Sequence, residues 1–340
     1  MISENLSVNK KQEKRTVVIV AMNGHMLLDF AGPADVFNSA NKILEINNEI
    51  PLYEVIVVSP TVNKKVINSI GIEINCIYSA MEIRKPIDTL LIAGSNNLQN
   101  QDDPGYTDFY EWLSVADQFT RRIGSVCAGA FALAKAGLLN GRRATTHWDR
   151  SELLQTKYPL IQVDSNPFYV SDGHIYTSGG VSSGIDLALA LVEEDNGKEI
   201  AIQVARRLVF YLNRPGFQIQ FGNLLTAEDT DNIFGKLRAW IMEHLHEPLD
   251  ILRLADHVNM SLRNFTRVFR RHTGIPPSKY IEKVRVEAAR KYLEGTDISI
   301  EQIAEKCGLG GLVSMRRIFL RHLMVTPSAY RRAFRTSLGK

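Results

Sequence analysis

The feature that most constrains this chain is an internal repeat towards its C-terminal end. The segment ILRLADHVNMSLRNFTRVFRRHTGIPPSKY, starting at Ile251, returns as ISIEQIAEKCGLGGLVSMRRIFLRHLMVTPSAY, starting at Ile298. Leu262 pairs with Leu312, Phe265 with Met315, Arg267 with Arg317, Phe269 with Phe319, Arg271 with Arg321, His272 with His322, Pro277 with Pro327 and Tyr280 with Tyr330, always 50 apart. Upstream, Ala255 pairs with Ala304 at an offset of 49, so the second copy holds one extra residue in its turn. A repeat of this length is one supersecondary unit built twice.

Each copy reads helix, tight turn, helix. Leu254 and Ala255 form the apolar face of a short first helix, Asn259 and Met260 fill the turn, and Ser261 is placed to cap the second helix. In that helix Leu262, Phe265, Val268 and Phe269 are expected to face inward, with Arg263, Arg267, Arg270 and Arg271 outward or sideways. The second copy repeats the pattern, with Leu312, Met315, Ile318 and Phe319 inward and Arg316, Arg317 and Arg321 outward. Such a helix can enter a major groove, where Arg donates two hydrogen bonds to guanine while its neighbours hold phosphates. The candidate DNA contacts are Ser261, Arg263, Asn264, Arg267, Arg271, Ser314, Arg316, Arg317 and Arg321, and the expected partner is double-stranded promoter DNA. An ordinary bundle with solvated arginines is the alternative.

Charge favours the DNA reading. From Phe234 to Lys340 there are 20 Lys and Arg against 10 Asp and Glu, whereas the first 233 residues hold 20 basic and 27 acidic residues. An excess of this kind in one region points to an anionic partner.

The preceding region has another rhythm. TVVIVAM (16–22), YEVIVVSP (53–60), IDTLLIAGS (87–95), RIGSVC (122–127) and GHIYTSGG (173–180) are short Val- and Ile-rich runs, with helical patterns near 32–46, 106–120, 182–194 and 198–212. This alternation predicts a mostly parallel sheet covered by helices. The expected organisation is a tail over 1–15, an α/β domain over 16–212, a linker over 213–233 and an all-α domain with two helix-turn-helix units over 234–338. With 340 residues, two domains are in any case the expectation. The leading MISENLSVNKKQEKR has no apolar h-region, and no apolar run reaches the ~18 residues of a membrane helix, so neither secretion nor membrane insertion is expected. The three cysteines, Cys76, Cys127 and Cys307, are scattered and point to a reducing, cytoplasmic compartment. His244 and His246 diverge on a helix, and GGVSSG at 179–184 reads as a geometric turn, so no metal or cofactor is expected.

RIGSVC runs directly into the apolar-faced AGAFALAKAGLL, which puts Cys127 at a strand-to-helix turn. A helix start and small neighbours would expose the thiol and lower its pKa from ~8.5, whereas a structural cysteine would be buried and inert.

Two family resemblances rest on these residues. SLRNFTRVFRRHTGIPPSKYI and RRIFLRHLMVTPSAYRR make residues from about 234 to 336 resemble the AraC/XylS-type DNA-binding domain, which implies a long helix near Pro277–Glu294 between the two units. Here Gly310, Gly311, Leu312 and Val313 replace the more polar start usual for the second recognition helix, which limits Val313 to meeting a thymine methyl. SVCAGAFALAKAGLLNGRRATTHW resembles the ThiJ/PfpI group of the class I glutamine amidotransferase-like superfamily, and implies a flavodoxin-type sandwich. DFAGPADVF aligns Asp29 with the acidic residue that faces the elbow thiol in that superfamily. Ala128 stands where protease-like members carry His, and Asp29 stands where many carry Glu, the latter as in the isocyanide hydratase branch.

Both domains in this order resemble the GlxA-like transcriptional regulators. The resemblance implies a cytoplasmic transcription factor, an activator, whose N-terminal domain senses an amino acid or quaternary amine and forms a homodimer. The pocket candidates are Asp29, Gly94, Ser95, Asn96, Cys127, His147 and Trp148. Trp148 and Asp29 together suit a cationic amine. His147 is either a general base or a packing residue. The chain is read as a regulator without enzymatic activity, in which Cys127, Asp29 and His147 are vestigial or sensing groups. The alternatives are a Cys-dependent hydratase or hydrolase, or a redox sensor, coupled to DNA binding.

Overall fold

The computed structural model describes residues 14–95, 104–212 and 233–334, with Arg214, Gln218, Phe221, Gly222 and Leu224. Most of the expected tail and linker lies outside these residues. The chain divides into two compact units, Met1–Arg214 and Pro215–Lys340.

The first unit runs β1 (Arg15–Val20), α1 (Leu27–Ile46), β2 (Tyr53–Ser59), β3 (Lys65–Ile67), β4 (Glu73–Asn75), β5 (Tyr78–Ser79), β6 (Ile87–Ile92), α2 (Thr107–Ala116), β7 (Thr120–Ser125), α3 (Ala130–Lys135), β8 (Arg143–Ala144), α4 (Ser151–Lys157), β9 (Gln162–Val163), β10 (Tyr169–Asp172), β11 (Ile175–Ser178) and α5 (Ser183–Arg207). Among the described residues the main sheet has the order β10-β11-β7-β6-β1-β2-β5, parallel except for β10. Along β1, Val17 and Ile19 pack with Phe37, Leu187 and Leu191 of α1 and α5, while Val18 and Val20 pack with Phe109 and Phe131 of α2 and α3. Burial on both faces explains why these strands read as continuous apolar runs.

The chain leaves β1 for β2 on one side and reaches β6 on the other, so the order reverses at β1. In open α/β sheets the crevice at such a reversal, beyond the carboxyl ends of the strands, is where ligands bind. Asp29 follows β1, Gly94 and Ser95 follow β6, and Cys127 follows β7.

Several elements differ from expectation. The first helix starts at Leu27 and not near residue 32, and runs through Pro33 despite the ladder bond that proline cannot make. The two helices expected over 182–194 and 198–212 do meet at a kink at Gly197 (φ 81°, ψ 166°) within Ser183–Arg207, but the second ends at Arg207, short of 212. The short strands β3, β4, β5, β8, β9 and β10 carry too few residues for a periodic signal. Beneath the sheet, buried Arg122 donates to Asp195 (2.5 Å) and to Thr89 (2.7 Å), and Tyr53 donates to Asp195 (2.9 Å), tying α5 to β2, β6 and β7.

The second unit is helical: α6 (Ile233–Glu243), α7 (Ile251–His257), α8 (Leu262–Thr273), α9 (Pro277–Gly295), α10 (Ile300–Lys306), α11 (Gly311–Leu323) and α12 (Pro327–Ala333). Tyr280, Val284, Ala288 and Leu293 of α9 share one core with Phe265 and Phe269 of α8 and Met315 and Phe319 of α11. The two copies thus pack on a single long helix. No helix among the described residues is long and apolar enough to cross a membrane.

Candidate DNA interface and ligand pocket

In the first copy, Ser261 caps α8 by accepting from the Asn264 amide (3.4 Å), and Asn259 (φ 54°) makes the tight turn before it. Phe265 and Phe269 are buried, while Arg263, Asn264, Arg267, Arg270 and Arg271 are exposed. Asn264 accepts from Arg267 (2.9 Å), which holds that guanidinium along the helix face. Leu262, Arg263, Thr266, Arg267, Arg270 and Arg271 line one shallow depression.

In the second copy, Met315, Ile318 and Phe319 are buried and Arg316 and Arg317 are exposed. Arg321, expected to face DNA, donates to Glu282 of α9. Ser314 is half-buried at the first turn of α11. The expectation that Leu262 and Leu312 face inward is corrected: they are 47% and 44% exposed. Each opens its helix at the edge of the core, a turn ahead of the first side chain that α9 can cover.

The pocket candidates of the first unit converge on Cys127. Its φ of 56° is strained for a residue with a side chain, as an elbow between strand and helix requires. Gly94 lies against it: a Cβ there would come within 2.9 Å of the Cys127 Cβ and 2.8 Å of the Ala128 amide. Ser95 is buried and donates to the Asn23 carbonyl. Asn96 lies outside the described residues. Asp29 is 1% exposed, and one of its oxygens, Oδ1, has no hydrogen-bond partner among the described residues. Burial pushes the Asp29 carboxyl up to about 8, against hydrogen bonds from the Gly94 and Met26 backbone that favour its charged form.

The expected low thiol pKa is corrected. Cys127 keeps some surface access, yet burial first and the Asp29 carboxylate second push its thiol up to about 12. The Ala128 and Val181 amides and the Arg150 charge offset part of this. His147 accepts from the Asp149 amide through Nδ1 (3.2 Å) and thereby caps the turn at Trp148–Arg150. Its ring abuts Gly180 and lies beside Trp148 (centroids 5.2 Å apart), and burial lowers its pKa. Thr146, Val181 and Arg150 also surround the elbow, with Thr146 donating to the Cys127 carbonyl (2.8 Å). Sequence reasoning left these three out. Only the run TTHW hinted at the first, since Thr146 and Val181 act on or through backbone atoms and Arg150 acts through a charge brought near by folding. Among the described residues no cluster of three or more His, Cys, Asp or Glu side chains could hold a metal.

Comparison with known proteins matches residues 14–194 to the DJ-1/PfpI family and residues 254–333 to a helix-turn-helix domain. The chain is similar to the HTH-type transcriptional regulator CdhR of Pseudomonas aeruginosa, 31% identical over 64% of this chain and 65% of that one. The matched stretch therefore spans just under two thirds of that relative. It is similar also to the HTH-type transcriptional regulator Rv1931c of Mycobacterium tuberculosis, 30% identical over 73% of this chain and 96% of that one. The HTH-type transcriptional regulator GlxA of Rhizobium meliloti is 26% identical over 90% of this chain and 92% of its own length.

Proposed function

The chain belongs to the DJ-1/PfpI family, with an AraC-type helix-turn-helix domain behind the family's fold, and on that premise we propose that it is a sequence-specific DNA-binding transcription factor, an activator, that answers to a small molecule. One observation carries the reading: Arg263, Arg267, Arg270 and Arg271 are all exposed along one capped helix, and a matched helix carries Arg316 and Arg317. Arg263 and Arg267 read bases. Arg317 is the base-reading candidate of the second copy, Asn264, Arg271, Ser314 and Arg316 hold the backbone, Arg321 is engaged by Glu282, and Ser261 fixes the helix start. The partner is promoter DNA, so the protein acts in the cytoplasm.

The effector binds at the sheet crevice between Asp29 and Cys127, with Gly94, Ser95, His147 and Trp148 around it. The unsatisfied Asp29 Oδ1 supports this, since a buried carboxyl oxygen without a partner accommodates a donor from a ligand such as an amino acid or an amine. The N-terminal unit forms the homodimer. The chain is a regulator and not an enzyme, a reading supported by the helix-turn-helix domain and by the transcriptional regulators it resembles.

The test is binding of the full-length chain to a 30-bp duplex, titrated at several salt concentrations. The logarithm of affinity should fall linearly with the logarithm of salt, with a slope corresponding to roughly six to ten phosphates. Absence of binding at low salt would overturn the proposal.

A further inference from the structure

We propose that the second recognition helix reads a thymine through Val313, so that the two copies of the repeat recognise different base pairs. This rests on the DNA-binding reading above. At the offset of 50, Val313 stands where the first copy has Arg263, and Leu320 stands where it has Arg270. Val313 is 83% exposed, with Leu312 beside it at 44%. Neither belongs to the core, which α11 meets through Met315, Ile318, Phe319 and Leu323. A β-branched apolar residue exposed at the tip of this helix is free to meet an apolar group, and its immediate neighbours say what kind.

Arg316 and Arg317 follow Val313 by three and four residues and are exposed, so the tip lies within a turn of two cations. A partner that suits both is anionic and offers an apolar group. Duplex DNA offers one in its major groove, the thymine C5-methyl. At a G·C or C·G pair, the same side chain would cover N7, O6 or N4 without giving a hydrogen bond, which disfavours those pairs. The turn before the helix leaves the tip accessible. Gly310 (φ 70°) and Gly311 (φ 84°) bring in no side chain, and no side chain caps α11. The far end is fixed: Glu282 of α9 takes Arg321 and, at 2.5 Å, His322, with Lys279 at 3.7 Å. The helix is thus held at its C-terminal end and presents Val313 at the other.

The experiment selects sites for the full-length chain from a pool of randomised 30-bp duplexes, then replaces each enriched thymine by uracil, which removes only the methyl. One thymine, about one helical turn from the guanine enriched by the first copy, should matter. Its replacement should weaken binding about fourfold, the equivalent of ~0.8 kcal/mol for one buried methyl group. Val313→Ala should bind the two duplexes equally, and Val313→Arg should shift the selected base at that position to guanine. At this exposure neither variant disturbs the core, which an unchanged thermal midpoint would verify. Equal binding of thymine and uracil duplexes by the wild-type chain would overturn the proposal. So would full discrimination retained by Val313→Ala, or a change in oligomeric state with discrimination intact, which would assign Val313 to a protein contact. A pool that yields no site at all would remove the DNA-binding reading itself.

Discussion

Asp29 sits in the first turn of α1 with its carboxyl buried, and keeps its proton up to about pH 8, against 3.8 for an ordinary aspartate. Between those values the unfolded chain is ionised at this position and the folded chain is not. The unfolded state binds fewer protons there, so this group lowers stability as pH rises, by up to about 1.4 kcal/mol per pH unit. Burial depresses His25 and His147, which act in the opposite sense below about pH 6.5. Comparing wild type with Asp29→Asn separates the two. Urea midpoints measured from pH 5 to 8 should converge at the acid end, with the variant increasingly the more stable towards pH 8. Parallel curves would contradict the burial of this carboxyl. The neighbouring thiol leads to a second expectation. With its pKa near 12, Cys127 should react with iodoacetamide at pH 7.5 at least about a hundredfold more slowly than a free thiol. Fast labelling would restore the reactive-elbow reading, and with it hydratase or redox chemistry.

At the scale of elements, α8 and α11 contribute unequally to binding on the proposed reading. Arg267→Ala should cost ~1–3 kcal/mol of DNA affinity and relax sequence preference at one position, measured by site selection on the full-length chain. An equal loss on every sequence would assign this arginine to phosphate. Much of this architecture was legible in the chain because its signals are local. The helix-turn-helix pattern within each copy and the Ser261 cap are written within a few residues of where they act, while the long helix from Pro277 is implied by the family resemblance. The β1, β2, β6 and β7 strands were visible because burial on both faces makes them uniformly apolar. Other features arise between distant segments. The Cys127 thiol is pushed up by burial and then by Asp29, far from it in sequence, so its helix-start position pointed the wrong way. Leu262 and Leu312 fit the inward period, yet lie outside the reach of α9. Arg321 looks like its outward-facing counterpart Arg271 until Glu282, 39 residues away, is placed beside it.

For the whole molecule, the opposite charge balance of the two regions favours DNA contact through the basic C-terminal part, and control is proposed for the acidic one. A ligand can act only through unequal affinity for two states of the protein. The N-terminal unit has a connection suited to that role. Val181 directs its amide to the Cys127 sulfur, and the adjoining Ser182 and Asp186 accept from Arg214 at 3.2 and 3.0 Å. The Arg214 guanidinium also lies over the Phe168 and Phe210 rings, 4.4 and 5.1 Å from their centroids. Arg214 closes the first unit, so a ligand that shifts this turn would reach the start of the expected linker. Asp29→Asn, Cys127→Ser and Arg214→Ala should each bind promoter DNA like wild type and lose induction in a reporter assay. Normal induction in the first two would exclude the pocket as the effector site, and normal induction in the third would exclude this connection.

The central claim is that two matched helices of one chain read DNA together. Hydroxyl-radical footprinting of the full-length protein on a selected duplex tests it most directly. The account predicts protection on one face of the helix in two patches centred about one turn apart, ~10 bp, with the patch of the first copy lost in Arg263→Ala/Arg267→Ala. A single patch that both copies' variants erase together, or protection that ignores sequence, would contradict it.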